Sequence, residues 1–196
     1  MKNKCPLLTE ADREQLQSGD LAFISVRSPF YRQVAATCGS WDSHVGIIFR
    51  EPDGSLVVAE SRVPLSSYTT LDRFLGRSAG GRYCIRRLRT GLTSAQVHRL
   101  RAEADRRMGK IYHLGFDFDS NRAFCSKLVF ESFRDALGRE IGQLETFQDL
   151  LRRNPAAPIG FWRLWFFGFI PWHRRTVTTT SQLQSPHLQT ILTAGI

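Results

Sequence analysis

Apolar residues in this chain recur with two different periods, and the switches between them divide it into elements. Leu21 to Val26 and Tyr83 to Leu88 are predicted strands, and Val45 to Phe49 and Leu56 to Glu60 form a pair around Pro52-Asp53-Gly54. Asp-Gly between two apolar runs signals a hairpin. Helical spacing takes over elsewhere. Ser28 with Pro29 opens a short helix, Thr69 to Leu75 is another, and Thr93 or Ser94 caps a helix with Val97, Leu100, Ala104 and Met108 on one face, ended by Gly109. Asp119-Ser120-Asn121 reads as the capped start of a helix whose apolar face is Phe124, Leu128, Val129, Phe133 and Leu137, with Gly138 as its stop. A short helix from Leu144 to Leu151 precedes the breaker Asn154-Pro155-Ala156-Ala157-Pro158. From Thr176 the chain turns to Thr, Ser, Gln and Pro without clear period, which predicts an irregular or disordered tail.

The helix that starts near Cys125 carries the first candidate chemistry. A cysteine in the first or second turn meets free backbone N–H groups and the positive end of the helix dipole, which favour thiolate, the nucleophilic form. A base is then required, and His44 lies at the head of the predicted strand through Phe49. The hairpin after it constrains a third residue. A three-residue loop with Gly54 at positive φ sets Glu51 opposite Ser55 and Gly46 opposite Glu60, which leaves Glu60 diagonal to His44 on the same face. A carboxylate there can hold the imidazole tautomer, and a slip of one residue would remove it to the other face.

In chain order, Gly19-Asp20 before a strand, Ser43-His44-Val45-Gly46, Ala59-Glu60-Ser61, Gly109-Lys110-Ile111-Tyr112 and Phe124-Cys125-Ser126-Lys127-Leu128 make an ordered set. It resembles the circularly permuted papain-like branch of the NlpC-type cysteine hydrolases, from about Gly19 to about Pro171. The YebB/YiiX-like members are most similar, YebB the nearer. The resemblance implies an α+β fold in which an antiparallel half-barrel sheet packs against helices, with Cys125 as nucleophile, His44 as base and Glu60 as orienting acid. Tyr112 matches a family tyrosine, with an oxyanion or positioning role or a buried structural one. Lys127 stands where many relatives carry an acid, which weakens transfer of substrate preference and adds a positive charge near the sulfur.

The implied chemistry is covalent acyl transfer through a thioester, in which no metal and no organic cofactor takes part. Relatives cleave cell-wall peptide amides, whereas permuted members related to lecithin retinol acyltransferase move or release fatty acyl groups. Amide hydrolysis is the leading expectation. Lipid acyl hydrolysis or transfer at the same site, and a non-catalytic module that keeps the groove, are the alternatives; the substrate is accordingly a small molecule, peptide or lipid.

Composition narrows the setting. A chain of 196 residues holds one ordinary domain, divided here into an extension (1–18), a catalytic domain (19–175) and a polar tail (176–196). Cys5, Cys38, Cys84 and Cys125 show neither zinc-site spacing nor disulfide density, so they read as free thiols of a reducing compartment. The first residues lack the apolar run of a secretory signal, which makes cytoplasmic residence the default and leaves signal-less secretion open. A formal net charge of +9 raises the question of nucleic acid, but the arginine pairs are scattered and match no nucleic-acid motif, so specific binding is not expected.

The aromatic stretch 161–172 is too short and too charged, with Arg163 inside it, to span a bilayer. It reads first as a buried helix closing the core and second as a peripheral contact with an anionic membrane, since tryptophan and arginine suit the headgroup region. Among rival nucleophiles, Cys38 falls at a helix C-terminus, where a thiolate is disfavoured, Cys84 inside a strand and Cys5 in a loose terminus. His113 is the reserve base; His98, His173 and His187 have no comparable support.

Overall fold

The computed structural model describes residues 8–196, so the expectation for Cys5 lies outside the described residues. The elements in order are α1 (Glu10–Gln15), β1 (Leu21–Val26), α2 (Pro29–Cys38), β2 (His44–Arg50), β3 (Leu56–Ser61), β4 (Ser66–Thr70), α3 (Leu71–Leu75), β5 (Ser78–Leu88), α4 (Ser94–Asp105), α5 (Cys125–Leu137), β6 (Leu144–Thr146), α6 (Phe147–Arg153), α7 (Ile159–Trp165), β7 (Arg175–Val177), α8 (Thr179–Leu183) and β8 (Leu188–Ala194). Six strands form one antiparallel sheet in the order β4-β3-β2-β1-β5-β8, and β6 pairs with β7 apart from it. The fold is the expected α+β arrangement of antiparallel sheet and helices. No helix among the described residues is long and apolar enough to cross a membrane.

Strand alternation gives the sheet two apolar faces. Leu21, Phe23, Val45, Ile47 and Phe49 meet Leu100 of α4 and Leu128, Val129 and Phe133 of α5. Ala22, Ile24, Ile48, Val58 and Ile85 meet Leu71, Phe74 and Leu75 of α3 and Leu16 after α1. Because both faces are covered, β2 is buried at every residue but Arg50, which is why its sequence reads as a nearly continuous apolar run.

The β2–β3 hairpin has the predicted register. Ile47 pairs with Ala59 and Arg50 with Leu56, Glu51 N–H donates to Ser55 O at 2.8 Å, and Gly54 closes the loop at φ +84°. Gly46 is required here for space. A Cβ on it would lie 2.4 Å from Val58 Cγ1, 2.9 Å from Ala59 O and 3.2 Å from Phe74 Cε2.

Several boundaries differ from the sequence reading. Asp119-Ser120-Asn121 does not cap α5: the helix begins at Cys125 itself, with Phe124 as an N-cap that offers no side-chain acceptor. The residues from Thr69 start as strand, since β4 pairs with β3 before Thr70 caps α3 through its side chain. Leu144 to Thr146 is likewise a strand, and Thr146 caps α6 with Asp149 in a reciprocal box. α4 stops at Asp105, short of Gly109, which turns the loop beyond it at φ +73°.

The largest departure is the C-terminal segment, which is ordered rather than irregular. β8 extends the main sheet by pairing with β5, and Thr176, Thr178, Thr179, Thr180 and Gln182 are buried. Gln182 Nε2 donates to Ser126 O at 2.8 Å and Ile141 O at 3.0 Å, and Ser126 Oγ donates to Val177 O at 2.7 Å. Those bonds brace the first turn of α5 from behind. The aromatic stretch is mixed rather than wholly core: Trp162 and Ile170 are buried, while Leu164, Phe167 and Phe169 stand out in solvent.

The close approach at Gly46 yields a test. Gly46→Ala is expected to destabilise the fold by about 1–3 kcal/mol through overpacking, read as a fall of several degrees in Tm; an unchanged Tm would mean that β3 and Phe74 do not pack this closely on β2.

Candidate active site

The N-terminus of α5 meets the start of β2, and the residues at that junction form the site. Strand alternation puts His44 on the α3 face, beside Ile24 and stacked on Phe74 at 5.5 Å between rings, whereas α5 lies against the other face. The two meet because His44 is the first residue of its strand and Cys125 the first of its helix. At the strand's end the ring reaches the sulfur, whose further neighbours are the backbone N–H groups of Val45 and Ser126.

Glu60 lies where the hairpin register predicts. His44 Nε2 and Glu60 Oε2 are 2.6 Å apart, with the side chains 1% and 0% exposed. Nε2 is thereby committed. Nδ1 has no hydrogen-bond partner within ordinary distance and is the nitrogen left for the thiol. Arg77, between α3 and β5, closes the carboxylate from the other side, its Nη2 donating to Oε1 at 2.8 Å and Oε2 at 2.7 Å. Arg77 also covers the Phe74 ring at 5.1 Å.

Charge coupling outweighs burial at each of these groups. Burial would lower the His44 value, but the Cys125 sulfur and then Glu60 raise it to about 9. Burial would raise Glu60, yet His44 and Arg77 bring it down to about 2. The Cys125 thiol is pushed up by burial and brought below its ordinary value by His44 and the two backbone N–H groups. The directions agree on one state, a thiolate and an imidazolium beside an ionised carboxylate.

The other candidates fall into place around this core. Tyr112 is buried, and burial, followed by the charge of Cys125 and by Tyr31, raises its hydroxyl well above the usual range. Its Oη is near enough to feel both groups but has no partner within hydrogen-bond distance. Tyr31 of α2, which the sequence reading missed, sits edge-on to His44 at 6.1 Å, and burial pushes its hydroxyl up to about 12. Lys127 does not serve the sulfur: its ammonium donates to the carbonyls of Ser120 and Arg122 and lies 3.8 Å from Glu131, so it fastens the loop before α5.

The rivals lack this setting. Cys38 ends α2, and burial followed by the charge of Asp42 raises its thiol to about 12. Cys84 is raised by burial in β5. His113 Nδ1 accepts from the Gly115 N–H at 3.0 Å, and burial lowers its value. His98, His173 and His187 are exposed.

A narrow cleft opens beside the sulfur. Val34, Phe116, Phe147, Trp162 and Val177 make its walls largely apolar, and Cys125 lies along it.

The model of a family described as permuted papain-like amidase enzymes, YaeF/YiiX, C92 family, matches residues 15–192. The chain belongs to this family. An uncharacterized protein YiiX of Escherichia coli strain K12 is 26% identical over 199 residues, covering 97% of this chain and 96% of that protein. The crystal structure of metalloprotein yiiX from Escherichia coli O157:H7 superposes with a TM-score of 0.85 at 26% identity, over 92% of this chain and 98% of the other. Membership establishes a permuted papain-like cysteine amidase or peptidase as the class. Among the described residues, no cluster of three or more His, Cys, Asp or Glu side chains is arranged to hold a metal ion.

The coupling of Glu60 to His44 carries a stability signature. Glu60 is depressed to about 2, so its contribution is present above its unfolded value near 4.5 and is lost as pH falls through 4 towards 2. His44 is raised to about 9, so its contribution is present below its unfolded value of 6.5 and is lost as pH rises through 9. Glu60→Gln is expected to cost about 3 kcal/mol near neutral pH and to flatten both limbs of a Tm-against-pH curve; a curve parallel to that of the parent would remove the coupling.

Proposed function

We propose that the chain hydrolyses an amide bond through a thioester on Cys125, with His44 as the proton carrier and Glu60 as the group that orients and stabilises it. The observation that carries this reading is the 2.6 Å contact between His44 and Glu60, which leaves Nδ1 for the sulfur. Sulfur attacks the carbonyl carbon as its thiolate. Collapse of the tetrahedral species breaks the C–N bond, and the amine leaves with the proton held on His44. Water then attacks the thioester, His44 takes its proton, and the acid departs as thiolate and imidazolium are restored.

The negative oxygen of both tetrahedral species needs donors. N–H groups of the first turn of α5 have no intrahelical acceptor and point towards the helix N-terminus. The unpartnered Tyr112 hydroxyl is suited to add a further hydrogen bond or to position the carbonyl. Arg77 keeps Glu60 ionised and still.

One observation favours lipid acyl hydrolysis or transfer as a second reading: the cleft beside the sulfur is walled by aromatic and aliphatic side chains. An apolar acyl chain would lie there with its carbonyl at Cys125. Incubation with muropeptides, N-acyl amino acids and phospholipids separates the readings by whether new amine or free fatty acid appears.

The ion pair makes the mechanism testable before the substrate is known. Iodoacetamide is expected to label Cys125 well below the ~8.5 of a free thiol and to go on labelling it above pH 9, whereas amide turnover falls as His44 deprotonates near 9. Mapped by peptide, labelling at position 125 should vanish in Cys125→Ser, and Cys38 should stay unlabelled at neutral pH, where its thiol is protonated. Labelling of Cys38 instead of Cys125 would contradict the assignment.

A further inference from the structure

The last turn of α7 and the turn that follows it carry large apolar side chains outward. Leu164 is 80% exposed, Phe167 90% and Phe169 87%, with Trp172 39% exposed beyond them. Phe167 adopts φ +50° and Gly168 φ +92°, and the Gly168 N–H donates to Arg163 O at 2.7 Å. A bulky side chain rarely occupies the left-handed region, where Asn or Gly is at ease. Conformation therefore does not account for phenylalanine at 167, and burial does not either.

No Asp or Glu follows Asp149 in the chain, and Arg152, Arg153, Arg174 and Arg175 are paired with Asp149, Glu145, Asp117 and Asp119. Arg163, exposed beside Leu164, makes no ion pair or side-chain hydrogen bond among the described residues. An apolar wedge with an unpaired guanidinium fits the boundary between anionic headgroups and acyl chains. A second copy of the chain fits less well: two phenylalanines and a leucine on a convex turn offer on the order of 500 Å², short of the roughly 800 Å² per partner of a stable interface.

We propose that this tip is a membrane-docking element, with Leu164, Phe167 and Phe169 inserted at the surface of an anionic lipid bilayer and Arg163 set against its headgroups. Docking orients the rest of the molecule. Trp162, on the same helix, walls the cleft that holds Cys125, and Trp165 Nε1 ties the helix to Leu114 O at 3.2 Å, next to the Gly115-Phe116 side of that cleft. A bilayer on the tip therefore lies close to the cleft. The inference stands apart from the reaction proposed above, since binding is read without turnover.

Cosedimentation of the full chain with vesicles tests it. Wild-type protein is expected to pellet with phosphatidylcholine vesicles containing phosphatidylglycerol and at least tenfold less with phosphatidylcholine alone. Phe167→Asn combined with Phe169→Ser removes both rings and relieves the left-handed position, so the fold, read by Tm and by iodoacetamide labelling of Cys125, should persist while vesicle binding drops at least tenfold. Arg163→Glu should weaken binding to the mixed vesicles. The proposal is overturned if wild type stays in the supernatant with both vesicles, if both pull it down equally, or if the double variant pellets like wild type. Light scattering that finds a dimer dispersed by the double variant would assign the tip to a second copy and overturn it as well.

Discussion

A carboxylate with no solvent contact must be matched by positive charge or take up a proton, and Glu60 is matched by three cations. His44 holds one oxygen, Arg77 reaches both, and Arg62 Nε lies 3.8 Å from Oε1. Removing His44 or Arg77 would leave a charge that the remaining cations only partly balance, in a part of the sheet where Phe74 excludes water. The candidate site is therefore also a structural feature of β2, β3 and the end of α3. Its imidazolium is stabilised from one side by Glu60 and from the other by the Cys125 sulfur, and the thiolate is stabilised in return.

The fold brings these groups together by ends rather than by faces. The His44 side chain lies on the face of the sheet opposite the one α5 covers, so it meets Cys125 only because each is the first residue of its element. This places a narrow demand on where α5 begins. Several parts of the chain supply that position: Lys127 fastens the loop from Ser120 to Arg122, Ser126 is bonded to Val177, and Gln182 holds the carbonyls of Ser126 and Ile141. Residues far apart in sequence converge on the first turn of one helix. The helix in turn packs Leu128, Val129 and Phe133 on β1 and β2, so the core and the site share one scaffold.

Much of this was legible locally, and the rest was not for identifiable reasons. The hairpin was readable because Pro52-Asp53-Gly54 fixes loop length, loop length fixes register, and register alone relates Glu60 to His44. Cys125 was readable because helix periodicity places it at a start, although the cap was misjudged: polar residues at 119–121 form turns of their own, and the helix begins after them. β8 was missed because Leu188–Ala194 lacks a clean alternation and sits in a stretch rich in Thr, Ser and Gln. Its place in the sheet comes from pairing with β5, a nonlocal cause. Arg77 and Tyr31 left no local signal, since their significance lies in what the fold sets beside them. Lys127 was assigned to the wrong neighbour for the same reason.

Nitrogen chemical shifts of the His44 ring report directly whether a charged triad is the resting state of the folded protein. With ring nitrogens labelled, the wild-type imidazole should be doubly protonated at pH 7 and titrate near 9, and Cys125→Ala should move that titration downward by removing the sulfur's charge. A neutral His44 ring at pH 7 in the wild-type protein, or a titration indifferent to Cys125→Ala, would contradict a charged resting state.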